Sequence, residues 1–177
     1  IPPVGLQHRQ TGVTATVVDA EHFMALAAGV EQGQQLVELL NAYAEDPMGG
    51  AEPLSAEVKA NLVKGLSQVP GALALLAYLD GQAVGVTTAF AGFSTFAAKP
   101  LLNIHDIAVL PAFRGQGVAQ ALMAGLEQEA RERGCCKMTL EVLSNNHRAQ
   151  QAYRRFGFAG YALDPEAGEA LFWQKKL

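Results

Sequence analysis

Cysteine is nearly missing from this chain: 177 residues hold two, Cys135 and Cys136, side by side. Neighbouring residues of an extended segment point to opposite faces, so the pair is badly placed to bridge with itself, and no disulfide frame is expected. Two reduced thiols suit a cytoplasmic protein, the expected location. Long apolar runs are missing as well. The longest, Ala72 to Leu79, falls far short of the roughly 20 residues that cross a bilayer. No charged-then-apolar opening marks a secretory leader, and no membrane partner is expected. Charge is sparse at 17% of residues, and Lys and Arg (13) are outnumbered by Asp and Glu (17), a formal net charge of −4. Without a dense Lys/Arg run, that balance argues against a nucleic-acid surface, and no nucleic-acid partner is expected. The four histidines, His8, His22, His105 and His147, show no metal-ligand spacing with one another or with the cysteines, so no metal is expected.

What is present is apolar material, 50% of the residues. That is enough for one globular α/β domain over residues 1–177, with 1–11 read as an N-terminal tail. Gly12–Val18 alternates like a strand, and Asp19 is placed to cap a helix through the 20s. Gln34–Ala44 has helical spacing, and Asp46-Pro47-Met48-Gly49-Gly50 is a loop by composition. Ser55 caps a helix over Ala56–Leu66 whose inward residues are Val58, Leu62, Val63 and Leu66. Ala72–Leu79, Asp80-Gly81 and Ala83–Phe93 form a hairpin. Further strands are expected at Leu101–Leu110, Lys137–Leu143, Ala159–Leu163 and Ala170–Gln174. Helices are expected from Gly117 to Gly134 and from Asn146 to Gly157. This order implies a mixed α/β sheet flanked by helices.

The most informative stretch is Leu101 to Gln120, LLNIHDIAVLPAFRGQGVAQ. An apolar strand is stopped by Pro111, which has no N–H for a sheet ladder. Arg114-Gly115-Gln116-Gly117-Val118-Ala119 then opens a helix whose inner face is Ala119, Leu122, Met123, Leu126 and Ala130. Successive backbone N–H groups at a glycine-bearing helix start, with Arg114 adding charge, suit a phosphate or pyrophosphate. A P-loop would need Lys and Ser/Thr where Val118-Ala119 stands. A dinucleotide fingerprint would need a third glycine at Gln120 and a second mononucleotide-binding half.

Arg114-x-x-Gly117-x-Ala119 resembles the (Arg/Gln)-x-x-Gly-x-(Gly/Ala) signature of the GCN5-related N-acetyltransferases. Asp106-Ile107-Ala108-Val109-Leu110-Pro111 precedes it as in that family. Asn146-x-x-Ala149-x-x-x-Tyr153 with Gly157-Phe158 resembles the family's second hallmark. The resemblance implies one domain with a central, mostly antiparallel twisted sheet of about six to seven strands. It also implies a splayed strand pair, 104–110 and 137–143, that forms an acetyl-coenzyme A cleft.

Implied cofactor-binding residues are Ile107, Ala108 and Val109 along the pantetheine arm and Arg114, Gly115, Gln116, Gly117, Val118 and Ala119 at the pyrophosphate. Asn146, Ala149 and Tyr153 complete that set. Tyr153 matches the tyrosine that donates a proton to the coenzyme A thiolate. The implied bases are His105, whose residue type titrates at about 6.5, and Glu141 on the neighbouring strand. Strand alternation allows only one of His105 and Asp106 to face the cleft. The expected activity is acetyl transfer to a primary amine. Glu52-Pro53-Leu54-Ser55, Phe93-Ser94-Thr95-Phe96 and Asp106-Ile107-Ala108-Val109 together resemble the diamine and polyamine branch, from which His105 departs. Transfer to a protein or peptide amine, and non-catalytic acyl-coenzyme A binding, are the alternatives. The family's habit implies a homodimer.

Overall fold

The computed structural model describes residues 5–7, 12–18, 31–160 and 172–177. The elements run β1 (Gly5–Gln7), β2 (Thr14–Val18), α1 (Glu31–Glu45), α2 (Ala56–Ser67), β3 (Ala72–Leu79), β4 (Gln82–Ser94), β5 (Lys99–Val109), α3 (Val118–Glu132), β6 (Met138–Leu140) and α4 (His147–Phe156). Gly5–Gln7 falls in the stretch expected as an N-terminal tail, yet it pairs with β2. The helix expected through the 20s lies outside the described residues. So do 161–171, and neither 159–160 nor 172–174 is in a strand.

Ala72–Leu79 is apolar throughout, and such a run fits a strand covered on both faces. As β3 it sits inside a sheet that has six strands among the described residues, their spatial order following the sequence. Leu73, Leu75 and Ala77 enter a cluster with Val118, Leu122 and Leu126 of α3. Ala72, Ala74 and Leu76 enter the opposite cluster, with Leu36, Leu39 and Leu40 of α1. In α2, Leu62, Val63 and Leu66 pack on that second cluster. Val58, expected among them, is 43% exposed. It sits in the first turn, where its N–H is held by Ser55 Oγ at 3.2 Å.

The strands pair antiparallel from β1 to β5, and β5 pairs parallel with β6. This is the expected mixed, mostly antiparallel sheet. The strand expected at Lys137–Leu143 is short, because pairing with β5 covers only Leu102–Ile104 and Met138–Leu140. Directly beyond Ile104 the register of β5 slips: Ala89 faces Ile104 while Thr88 faces Asp106, so His105 has no opposite residue on β4. Such a bulge bends its strand and sharpens its twist. From this point β5 and β6 part, leaving the β5 edge without a strand partner among the described residues.

The bulge also overturns the alternation reading of His105 and Asp106. Asp106 Oδ2 accepts from the Thr88 hydroxyl at 2.5 Å. The His105 ring meets Phe90 edge-on at 5.6 Å. Thr88 and Phe90 are two apart on one strand and share a face. His105 and Asp106 therefore both look toward the α1 side.

Candidate active site

Two glycines shape the turn after β5. Gly115 (φ 81°) and Gly117 (φ 84°) are both left-handed, a conformation that costs a side-chain-bearing residue about 1–2 kcal/mol. Gly117 immediately precedes α3, and the first bond of that helix runs from the Ala121 N–H to the Gly117 carbonyl at 3.0 Å. The backbone N–H groups of Gly115 through Gln120 have no acceptor among the described residues. Six consecutive open donors at the positive end of a helix are the local requirement for holding a diphosphate. The turn sits where it does because Gly85 lets α3 approach the sheet. A Cβ at Gly85 would lie 2.8 Å from Val118 Cγ1 and 3.2 Å from the Ala108 carbonyl.

A cavity of about 880 Å³ opens in front of these donors. Ile107, Ala108, Val109 and Leu110 all line it. Alternate strand residues point to opposite faces, so four consecutive lining residues mean that the cavity runs along the strand's edge. This is the edge freed by the departure of β6. Gly115, Gly117, Val118 and Ala119 form one end of the lining, and Asn146, Ala149 and Tyr153 reach it from α4. Asn146 caps α4, its Oδ1 accepting from the Ala149 N–H at 3.1 Å, and faces the cavity at the same time. Gln120 Nε2 donates to the Ala152 carbonyl at 3.3 Å and ties α4 to the start of α3.

Three of the expected site residues are not brought to the lining. Gln116 is exposed and donates its amide to the Ala112 carbonyl at 3.2 Å. His105 and Glu141 are exposed and stand outside the lining. Arg114 lines the cavity without a free charge. Its Nε donates to the Val109 carbonyl at 3.0 Å, and its Nη2 meets Asp46 Oδ2 at 2.6 Å.

A family model described as the acetyltransferase (GNAT) family matches residues 34–158. The chain belongs to the GNAT family. A streptothricin acetyltransferase from Streptomyces lavendulae is 44% identical over 85 residues, 48% of this chain and 43% of that protein. An aminoalkylphosphonate N-acetyltransferase from Salmonella typhimurium is 34% identical over 86 residues, 49% of this chain and 54% of that protein. The matched part thus spans about half the length of these curated relatives. An aminoglycoside acetyltransferase from an uncultured soil metagenomic sample, solved with sisomicin, shares the fold at a TM-score of 0.68 and 19% identity, over 94% of this chain and 96% of that one. An aminoglycoside N-acetyltransferase solved with coenzyme A does so at 0.64 and 17%, over 100% of this chain and 99% of that one.

Within this GNAT-family cavity the protonation states follow from burial and from neighbouring charges and donors. Burial, and secondarily the nearby Tyr43, pushes the Tyr153 phenol up to about 12. No described residue hydrogen-bonds its hydroxyl, and the ring meets Phe158 edge-on at 6.1 Å. Tyr43 is raised as well, first by burial and then by the charges of Asp106 and Asp46. Asp46 is lowered, chiefly by the hydrogen bond from Arg114 and then by the Met48 N–H at 2.9 Å. Tyr43 and Asp46 escape a sequence reading aimed at the glycine turn. A signal for Tyr43 does exist, since Leu36, Leu39, Leu40 and Tyr43 recur at the steps of one helix face. Among the described residues, no group of three or more His, Cys, Asp or Glu is placed to hold a metal, and no helix is long and apolar enough to cross a membrane.

Proposed function

We propose that this protein is an acetyl-coenzyme A-dependent N-acetyltransferase that acts on a primary amine of a small molecule, a diamine, polyamine or amino-acid derivative. The observation that carries the reading is the run of six open N–H donors at the left-handed glycines, five of whose residues line the same cavity as Tyr153. The small-molecule acceptors in the names of the relatives support it. When bound, acetyl-coenzyme A supplies a thioester already activated toward an uncharged amine. The donors of Gly115–Gln120 hold its diphosphate, and the freed edge at Ile107–Val109 offers backbone groups to the amide-bearing arm.

Tyr153 completes the site as a hydrogen-bond donor. A phenol at about 12 is a weaker acid than a thiol of about 8.5, so it keeps its proton and steadies charge on a departing sulfur. The incoming ammonium, with an ordinary pKa of about 10.4, must lose a proton first. His105 is the proposed acceptor of that proton, reached through water because its ring stands outside the lining. Glu141, exposed beyond the end of β6, is the alternative.

The test is a free-thiol assay with acetyl-coenzyme A and a panel of small amines beside peptide amines. Thiol release with at least one small amine is the expected result. Release with peptides alone moves the acceptor class, and tight binding without release leaves a binding domain.

A further inference from the structure

We infer that Gln120 is the positioning residue for Tyr153: its side chain ties α4 to the start of α3 and so holds the phenol at one place in the cavity. The inference rests on reading the cavity as a transferase site with Tyr153 as the donor to the departing sulfur. α4 is loosely seated. None of its side chains is fully buried. Its cap and most of its side-chain bonds are local: Asn146 Oδ1 accepts from the Ala149 N–H, Gln150 Nε2 donates to the Leu143 and Ser144 carbonyls, and Arg154 donates to Gln150. Among the described residues, one hydrogen bond ties α4 to a distant part of the chain, from Gln120 Nε2 to the Ala152 carbonyl at 3.3 Å, across 32 positions. The far end of that bond is firm, because Val118, Ala121 and Leu122 on either side of Gln120 are buried in the core beneath α3.

The bond lands where it can govern Tyr153. The Ala152 carbonyl and the Tyr153 N–H belong to one planar peptide unit, so a held carbonyl fixes the plane from which the Tyr153 residue departs. The phenol has no hydrogen-bond partner of its own among the described residues, and its ring contact is Phe158, five residues on. Phe158 packs on the core and anchors the C-terminal end of α4. The swing of the helix about that end is left to Gln120. A helix carbonyl keeps a lone pair beyond the one its ladder uses, and an uncharged amide reaches it without setting a charge among the diphosphate donors. Gln120 also supplies the last of the six open N–H groups. Its backbone therefore faces the proposed diphosphate while its side chain sets the phenol, so the coenzyme's anchor and its hydrogen-bond donor are referred to one residue.

A double-mutant cycle on the whole chain tests this, reading single-turnover acetyl transfer to a reactive small amine and, separately, coenzyme A affinity by calorimetry. Gln120→Met keeps the length of the side chain and removes the donor. The rate should fall about tenfold, and coenzyme A affinity should hold because the backbone donors are untouched. Placed in Tyr153→Phe, the same substitution should change the rate by less than about twofold, since the hydroxyl it positions is gone. Gln120→Asn, an amide one methylene short of the carbonyl, should behave as Gln120→Met does. A melting curve checks each fold, and Gln120→Asn carries the cycle if the methionine variant does not melt cooperatively. A wild-type rate in a folded Gln120 variant overturns the tether and leaves the transferase reading standing. So does a full tenfold loss in the Tyr153→Phe background, which would place the effect elsewhere in the fold. A coenzyme A affinity that falls in step with the rate overturns it too, by placing the effect in the glycine turn. A wild type that transfers no acetyl group to any amine of the panel overturns the reading and the tether together.

Discussion

The cavity has two unlike walls. At the glycine turn the donors are backbone N–H groups, and side chains matter there mainly through the φ values they permit. On the α1 side, Tyr43 and Asp46 present a phenol and a carboxylate whose properties depend on burial and on partners elsewhere in the chain. The first wall suits a ligand that never changes, because backbone chemistry is the same in every sequence that can make the turn. The second suits a ligand that differs between relatives, because single substitutions redraw it. Tyr153, on α4, lines the same cavity as both walls, and in the proposed reading the two ligands meet there.

The sharpest way to break this division is at that meeting point. Tyr153→Phe keeps the ring and its contact with Phe158 and removes only the hydroxyl. Turnover should fall by about 10²-fold or more, with coenzyme A affinity unchanged, as for loss of one donor to a developing anion. Wild-type turnover in the variant would make Tyr153 a packing residue. On the backbone wall, Gly117→Leu forces a branched side chain into a left-handed position (φ 84°). Coenzyme A affinity should fall roughly 30-fold or more, from the strain of about 1–2 kcal/mol and the misaligned donors together. Calorimetry on a variant that still melts cooperatively would read this, and an unchanged affinity would remove the turn from the site.

The same contrast explains what the sequence made legible. The glycine turn, the Ser55 and Asn146 caps and the doubly buried β3 depend on residues within a few positions of each other. Local rules reach them. The bulge at His105 does not follow from its own strand, because an extra residue exists only relative to β4. Without it, alternation put His105 and Asp106 on opposite faces and carried the sixth strand on to Leu143. The Arg114–Asp46 contact joins residues 68 apart, so the charge at Arg114 read as free while its partner was invisible. Val58 shows the limit of helical spacing, which counts a first-turn residue as inward although the helix meets the sheet only further along.

The smallest expected effect tests whether the two walls are coupled. Asp46 is the only link of charge between them seen among the described residues, through Arg114 Nη2 at 2.6 Å. Its folded-state carboxyl is lowered, so its contribution to stability is present above the ordinary carboxylate pKa of about 3.9 and is lost as pH falls through the lowered value. Asp46→Asn should therefore cost about 1 kcal/mol at pH 7, a modest figure because a third of the Arg114 side chain is exposed and screened. Denaturant unfolding should show the cost shrinking below about pH 4 and nearly gone well under that, where the wild-type carboxyl is protonated too. An equal cost at pH 7 and at the acid end would mean that packing of the 46–50 loop, and not the ion pair, holds this corner. The substitution also releases Arg114 toward the glycine turn. If the walls are coupled, coenzyme A affinity rises a few-fold at low ionic strength and the gain fades with added salt. If affinity stays flat at every salt concentration, the backbone wall does its binding alone, and Asp46 belongs to the acceptor side only.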